Sequence, residues 1–131
     1  MIEPAKIQVR FSDLDVLGHV NNAVYLSYFE LTRVHYFKIL LGENWDWNTN
    51  GVLLVRNELD YRHPVLLHDQ PEVIMHTAHI GEKSFVLGYE LSVNNVIYTL
   101  GKSTLVSVDS QAKKTTAIPL RMRECLEQLI K

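Results

Sequence analysis

The chain has 131 residues, of which 47% are hydrophobic and 21% charged, with a formal net charge of −2. These values are typical of one globular domain with a buried core, so we expect a single domain over residues 1–131. The slightly acidic balance argues against a general nucleic-acid-binding protein, because such proteins carry a basic face.

The expected location follows from what the sequence lacks. Cys125 is the only cysteine, so no internal disulfide can form, which favours a reducing compartment. The first residues, Met1 to Lys6, have no apolar core of the kind found in secretory signals. No uninterrupted apolar run approaches the ~20 residues that a membrane helix needs. We therefore expect a soluble, cytoplasmic protein without membrane attachment.

The chain begins with a predicted strand over residues 5–11, where apolar and polar residues alternate. Five polar residues then fall within ten positions: Asp13, Asp15, His19, Asn21 and Asn22. Ordinary loops are rich in Gly, Ser and Pro, so this density of ionisable and hydrogen-bonding groups indicates a functional site. We expect Asp13 to brace the loop through backbone N–H groups.

A long helix is predicted next. Residues 22–41 contain neither Pro nor Gly and are apolar around most of the helical circumference, which is typical of a buried helix. Asn21 or Asn22 can cap its start, and Gly42 is a suitable end. The following loop, residues 43–51, contains two tryptophans that we expect to cover an edge or a pocket.

Four segments of strand character come after this loop: residues 52–62, 71–80, 84–93 and 96–108. Asn94-Asn95 predicts a two-residue hairpin turn between the last two. A short C-terminal helix is expected from Pro119 through Leu129.

This order of elements predicts an α+β domain in which a five-stranded antiparallel sheet curls around one long helix. Such a sheet has free edges, and a single helix covers only one of its faces. We therefore expect the protein to form a homodimer.

The polar stretch also resembles a known signature. The run Asp13-Leu14-Asp15-Val16-Leu17-Gly18-His19-Val20-Asn21-Asn22, with Tyr25 and Phe29-Glu30, is similar to that of hotdog-fold thioesterases of the 4-hydroxybenzoyl-CoA thioesterase family. Later stretches match the same family: Asp60 to Val65, Gly81 to Ser84, Asp109 and Ile118-Pro119. The resemblance implies a hotdog fold, homodimers or tetramers built from two dimers, and hydrolysis of acyl-CoA or acyl-carrier-protein thioesters without cofactor or metal.

The resemblance also implies roles for individual residues. Asp15 matches the catalytic carboxylate, which either attacks the thioester carbon or deprotonates water. N–H groups near Asn22, at the start of the helix, would polarise the thioester oxygen. Gly18 leaves room for the bound thioester, or simply forms a turn. His19 orients water, binds the carbonyl or protonates the leaving thiolate, with a structural role as the alternative.

Five further residues are candidates for substrate binding. Tyr25 lies one turn into the helix, where it lines the pocket or only packs. Arg62, His63, Lys83 and Ser84 stand near strand ends and can meet the phosphates of coenzyme A (CoA), although each is otherwise ordinary surface. The remaining histidines share no metal-ligand spacing, so no metal site is predicted.

Two other functions fit the same observations. One is hydration or dehydration of an acyl thioester on the same fold. The other is a non-catalytic acyl-CoA-binding domain, which the fold alone would permit. Asp15 argues against the second, because a protein that only binds needs no carboxylate at the thioester carbon.

Overall fold

An antiparallel sheet wrapped on one long helix forms the protein, and the computed structural model describes residues 1–131. The elements are β1 (Ala5–Lys6), α1 (Val24–Leu41), β2 (Gly51–Tyr61), β3 (Glu72–Ile80), β4 (Ser84–Val93), β5 (Val96–Asp109), β6 (Lys114–Thr115) and α2 (Leu120–Gln128). The strands follow the order β1-β3-β4-β5-β2, and β6 pairs with the end of β5. The predicted α+β architecture, with five main strands, a long helix and a short C-terminal helix, is confirmed.

The turn between β4 and β5 shows how local sequence fixes the sheet. Asn94 and Asn95 have positive φ angles of 51° and 65°. Two successive residues in this conformation form the hairpin turn whose twist matches that of the flanking strands, and asparagine tolerates it well. The predicted two-residue hairpin is therefore confirmed.

The predicted N-terminal strand is too long. Only Ala5 and Lys6 pair with β3, and a 3-10 turn at Phe11–Asp13 follows. Ile7 and Val9 are buried as their alternation predicts, but Phe11 is exposed. The chain leaves the extended conformation because the Asp13 N–H donates to the Arg10 carbonyl at 2.9 Å, which closes the turn.

The long helix begins at Val24, two residues later than predicted. Asn21 organises its start, because its Oδ1 accepts from the Ala23 N–H and its carbonyl accepts from the Val24 N–H, both at 2.9 Å. This side-chain turn precedes the helix, but the N-cap position itself is Ala23 and has no side-chain capping bond, so neither asparagine occupies the predicted cap position. Gly42 ends the helix with a φ of 85°, as expected for a C-terminal glycine.

One side of α1 packs against the sheet and the opposite side is open. Phe29 stacks flat on Tyr89 of β4, with 4.3 Å between the ring centroids. It also lies over Gly101 of β5, where a Cβ atom would come within 2.5 Å of the ring. The polar residues Glu30 and Lys38 are exposed, as expected, but Leu31 and Val34 on the outer side are exposed as well, so the apolar residues of α1 are not all buried within a single chain.

Neither helix combines the length and apolar character that crossing a bilayer requires.

Candidate active site

A cavity of about 460 Å³ opens where the loop after β1 runs into α1. Its walls are Asp15, Leu17, His19, Val20, Asn21, Asn22, Tyr25, Tyr61, Arg62, His63 and Pro64. Six of the nine predicted site residues therefore line one pocket, and Gly18 forms the turn between two lining residues. The start of a helix, the end of an edge strand and a polar loop meet there.

Lys83 and Ser84 do not join this pocket within one chain. They lie at the turn between β3 and β4, where Ser84 pairs with Val106 of β5. The pocket is at the other end of β5, where Thr99 pairs with Tyr61. Seven residues of extended strand, or about 23 Å, separate the two positions.

Asp13 holds the beginning of the loop in place. Its side chain is only 2% exposed and accepts a hydrogen bond from the Tyr28 hydroxyl at 2.7 Å. The backbone N–H and the guanidinium of Arg10 donate to the same carboxylate at 3.0 and 3.1 Å. The Asp13 carbonyl accepts from the Asn21 N–H at 2.9 Å, which ties the two ends of the loop together. The bracing role expected for Asp13 is confirmed.

These contacts also set the ionisation of Asp13 and Tyr28. Burial opposes the charge on Asp13, but the hydrogen bonds from Arg10 and Tyr28 outweigh it and hold its pKa below the ordinary value. Burial, followed by the hydrogen bond to Asp13 and the charge on that carboxylate, raises the pKa of Tyr28. Tyr28 therefore remains a hydrogen-bond donor to a charged partner.

Asp15 is presented to the pocket by a tight turn. Its backbone N–H donates to the His19 carbonyl at 2.8 Å, and its carbonyl accepts from the Gly18 N–H at 3.0 Å. The Leu17 N–H donates to its Oδ1 at 2.9 Å, while Oδ2 makes no hydrogen bond within the chain. The carboxylate is thus held at a fixed place, with one oxygen available to a ligand or to water.

The backbone N–H of Asn22 is a free donor at the start of the helix, beside the pocket. Its neighbours are engaged: the Asn21 N–H with Asp13, the Ala23 N–H with the Asn21 side chain, and the Val24 N–H with the Asn21 carbonyl. The Asn22 N–H has no acceptor within the chain. A free N–H at the positive end of a helix dipole is suited to binding a polarised carbonyl oxygen.

Gly18 and His19 shape the turn between these two groups. Gly18 has a φ of 78°, and no atom lies within 4 Å of the position a Cβ would take. The backbone conformation, rather than crowding within the chain, therefore requires glycine. A backbone bridge to Leu66 fixes His19, whose half-buried imidazole lines the pocket without a hydrogen-bond partner in the chain.

Two tyrosines form the inner wall. Tyr25 is 1% exposed, and its hydroxyl accepts a hydrogen bond from the Val65 N–H at 3.3 Å. Tyr61 packs edge-on against it, with 5.0 Å between the ring centroids, and donates its hydroxyl to the Asn22 carbonyl at 2.7 Å. Tyr61 is not among the site residues predicted from the sequence. The period of two along β2 puts it on the same face as the half-buried Leu59, which is the part of its placement that the sequence indicates.

Arg62 and His63 stand at the mouth of the pocket. The backbone N–H groups of both donate to the Tyr98 carbonyl, at 2.8 and 3.1 Å. Their side chains are exposed, and the His63 ring lies 5.1 Å from the Tyr98 ring. The mouth of the pocket therefore carries the permanent positive charge of Arg62, and hydrogen bonds to Tyr98 anchor its backbone.

The two tryptophans lie at the opposite end of α1. Trp47 packs against Phe37 and, with Val52, Leu54 and other residues, lines a second cavity of about 600 Å³ between α1 and β2. Trp45 contacts Trp47 and donates its ring N–H to the Asn50 carbonyl at 3.2 Å. The expectation that this loop covers a pocket is confirmed.

The comparisons with known proteins agree on one family. The sequence model of the thioesterase-like superfamily matches residues 9–128. The long-chain acyl-CoA thioesterase FadM of Escherichia coli (strain K12) is 28% identical over 131 aligned positions, covering 96% of this chain and 98% of FadM. The uncharacterized protein YsmA of Bacillus subtilis (strain 168) is 34% identical over 86 residues, which span 64% of this chain and 56% of YsmA.

A solved structure supports the same relationship. A thioesterase from Thermus thermophilus, crystallised with CoA and Zn, is 34% identical and superposes with a TM-score of 0.85, covering 97% of this chain and 92% of that one. In the present chain, no group of three or more His, Cys, Asp or Glu side chains comes together as a metal site. The chain belongs to the thioesterase-like superfamily, and its sheet wrapped on α1 is the hotdog fold that its motif predicted.

Proposed function

We propose that this protein hydrolyses acyl-CoA thioesters to a free acid and CoA, with Asp15 as the reacting carboxylate. The observation that carries the proposal is the open Asp15 oxygen in the same pocket as the unpaired Asn22 N–H. Thioester hydrolysis needs a nucleophile or base at the carbonyl carbon and a donor at its oxygen. The relatives named above as thioesterases, one of them bound to CoA, support this reaction class.

The chemistry has two possible routes from the same groups. Asp15 attacks the thioester carbon and expels the CoA thiolate, and water then hydrolyses the mixed anhydride and restores the carboxylate. Alternatively, Asp15 takes a proton from a water molecule that attacks the same carbon. In both routes the Asn22 N–H stabilises negative charge on the carbonyl oxygen, and His19 orients water or protonates the leaving thiolate.

The remaining candidates would bind the substrate. Arg62 and His63 at the pocket mouth would meet the phosphates of CoA, and Tyr25, which lines the pocket, would lie beside the thioester. Because FadM is named for long-chain acyl-CoA, fatty acyl groups are the first acyl groups to test. An acyl-carrier-protein donor is the alternative source of the same thioester.

The test is release of free thiol from a panel of acyl-CoAs, by wild type and by Asp15→Asn. We expect release by wild type and a loss of ~10²-fold or more in the variant, because the substitution removes the reacting oxygen. Asp109→Asn is a matched control, since Asp109 also accepts backbone N–H groups in a turn but lies outside the pocket.

Each other outcome would overturn the proposal in a different way. If no acyl-CoA or acyl carrier protein releases thiol, the protein is not a thioesterase. Hydration of an enoyl-CoA without thiol release identifies the hydratase, and binding without any turnover identifies a binding domain. Release that survives Asp15→Asn moves the chemistry to another residue.

We also propose that two copies, each a single domain over residues 1–131, pair through β2 in the cytoplasm. β2 is a long edge strand of 11 residues. Leu53 and Val55 on this strand are 58% and 53% exposed. An apolar edge with unpaired backbone groups favours pairing with a second strand, and the lone cysteine fits a reducing compartment.

Pairing of this kind would also bring the two groups of predicted binding residues closer. Antiparallel contact between two β2 strands sets the start of one β2 beside the end of the other. The start of β2 shares its end of the sheet with Lys83 and Ser84, because Leu53 and Ser84 both pair with Val106. Lys83 and Ser84 of one copy would then lie on the same side as Tyr61 of the other.

The dimer is tested by sedimentation of the double variant Leu53→Glu, Val55→Glu. We expect a dimer for wild type and a monomer for the variant at micromolar concentration, because two buried charges would face each other across the edge. Ile74→Glu, an exposed apolar residue on the interior strand β3, is the control. A monomeric wild type, or a variant that stays dimeric, would contradict pairing through β2.

A further inference from the structure

We propose that Tyr61 is a positioning residue for the hydrolysis, because its hydroxyl holds Asn22 so that the Asn22 N–H faces the thioester oxygen. The inference rests on the proposed function and deepens it. Tyr61 makes no hydrogen bond to Asp15; it acts through Asn22, which immediately precedes the N-cap of α1.

The first step is the isolation of Asn22. It is exposed, and the hydrogen bond that its carbonyl accepts from Tyr61, at 2.7 Å, is the only one it makes within the chain. The residues on either side are held by the Asn21 side chain and by Asp13. Without Tyr61, Asn22 would be fixed only through its neighbours in sequence.

The second step is the rigidity of Tyr61 itself. It is the last residue of β2 and pairs with Thr99 of β5, so its backbone is part of the sheet. Its ring lies edge-on against Tyr25, which is buried and anchored to the Val65 N–H. The hydrogen bond from the Tyr61 hydroxyl therefore fixes Asn22, just before the helix, relative to the sheet.

The Asn22 N–H must also be oriented correctly before the reaction begins. A donor stabilises a developing oxyanion only when it is already oriented, because reorientation during the reaction consumes the gain. Burial raises the pKa of Tyr61, so the phenol keeps its proton and remains a donor at neutral pH. The hydrogen bond from Tyr61 to Asn22 is therefore constant around neutral pH.

The test is Tyr61→Phe, which keeps the ring against Tyr25 and removes only the hydroxyl. We expect kcat to fall about tenfold, with KM and the melting temperature close to wild type, since one orienting bond supports a donor that is itself needed for the transition state. Tyr36→Phe is the matched control, because Tyr36 lies on α1 outside the pocket.

A spectroscopic measurement separates positioning from simple stability. In an Asp15→Asn background, the acyl-CoA that wild type hydrolyses fastest is bound with a ¹³C label at its carbonyl. Adding Tyr61→Phe should move the infrared carbonyl stretch to higher frequency, because a misplaced N–H polarises the carbonyl less. Tyr36→Phe should leave the stretch unchanged.

Two results would overturn the inference while leaving the proposed function intact. One is a kcat of Tyr61→Phe equal to that of wild type, together with a carbonyl frequency that Tyr61→Phe leaves unchanged in the Asp15→Asn background. The other is a kcat that falls only together with the melting temperature, with an unshifted carbonyl, which would make Tyr61 a structural residue. If wild type hydrolyses no acyl-CoA, the proposed function itself has failed, and the two failures are thereby distinguished.

Discussion

Asp13 and Asp15 stand two residues apart in one loop and occupy opposite environments. Asp13 is buried and accepts three hydrogen bonds from Arg10 and Tyr28. Asp15 is half-buried at a cavity wall and accepts one, from the Leu17 N–H, which leaves an oxygen unpaired. The same side chain thus serves as an anchor at one position and leaves an oxygen free for a ligand or water at the other.

The difference follows from the direction in which each carboxylate points. Asp13 faces α1, where Tyr28 meets it one turn into the helix. Asp15 follows the turn that Gly18 closes, and that turn directs it to the pocket. A carboxylate whose acceptor sites are all satisfied cannot easily attack or take a proton, so the less satisfied of the two is the better reactant.

The largest expected effect on stability is that of Asp13→Asn. We expect it to lower the free energy of unfolding by about 2–3 kcal/mol at neutral pH, because the buried Tyr28 hydroxyl and the Arg10 backbone N–H lose a charged acceptor. Asp15→Asn should change it by less than about 0.5 kcal/mol, as is usual for partly exposed positions. Urea denaturation of both variants measures the contrast, and equal losses would contradict it.

Wild type and Asp13→Asn together give a pH test of the anchor. Since the pKa of Asp13 lies below its ordinary value in the folded state, its stabilising contribution is complete above the unfolded value of about 3.9 and is lost as pH falls through the folded value. The stability gap between the two proteins should therefore be constant above about pH 5 and shrink towards lower pH. A gap that grows on acidification would show that Asp13 is not held as a charged group.

A smaller effect is expected from Gly18→Ala, which strains the turn between the anchor and the pocket. With a φ of 78° and no atom near the added Cβ, the cost is backbone strain alone, about 1 kcal/mol. Gly42→Ala is the control for a strained glycine away from the pocket, because Gly42 also has a positive φ, 85°, and open surroundings. Both variants should lose stability in urea denaturation, but only Gly18→Ala should also slow thiol release. Equal rates of thiol release in the two variants would show that the Gly18 turn does not matter for the hydrolysis.

Most of the fold could be predicted from the sequence, because the patterns that indicate its strands and turns are local. The period of two identified β2 to β5 to within one residue at each end, and the Asn94-Asn95 pair identified the hairpin. The length of the strand predicted at residues 5–11 was too great. The hydrogen bond that Asp13 accepts from Tyr28 comes from α1, and the local alternation of apolar residues does not reveal it. The exposure of Leu31 and Val34 on α1 was not predicted, because an apolar composition around the helix does not say which apolar residues one chain can cover.

The candidate site could be predicted only in part from the sequence. The motif predicted Asp15, His19 and Asn22 from their resemblance, and all three line one pocket. Tyr61 was missed because its role depends on where β2 ends relative to α1, which is a property of the assembled sheet. Lys83 lies outside the pocket of its own chain, and no pattern along one chain determines whether the proposed second copy would bring it to a substrate.

The position of β2 has a consequence for how the protein folds. β4 and β5 form a hairpin between neighbouring segments, whereas β2 must find β5 across two intervening strands, with Gly51 opposite Val108. Contacts between distant segments form late, because closing long loops costs entropy before any pairing is gained. Since Tyr61 reaches Asn22 only from the end of a docked β2, a partly folded chain would carry the whole polar loop and still lack its pocket. The order of folding would then prevent the proposed hydrolysis until the sheet is complete.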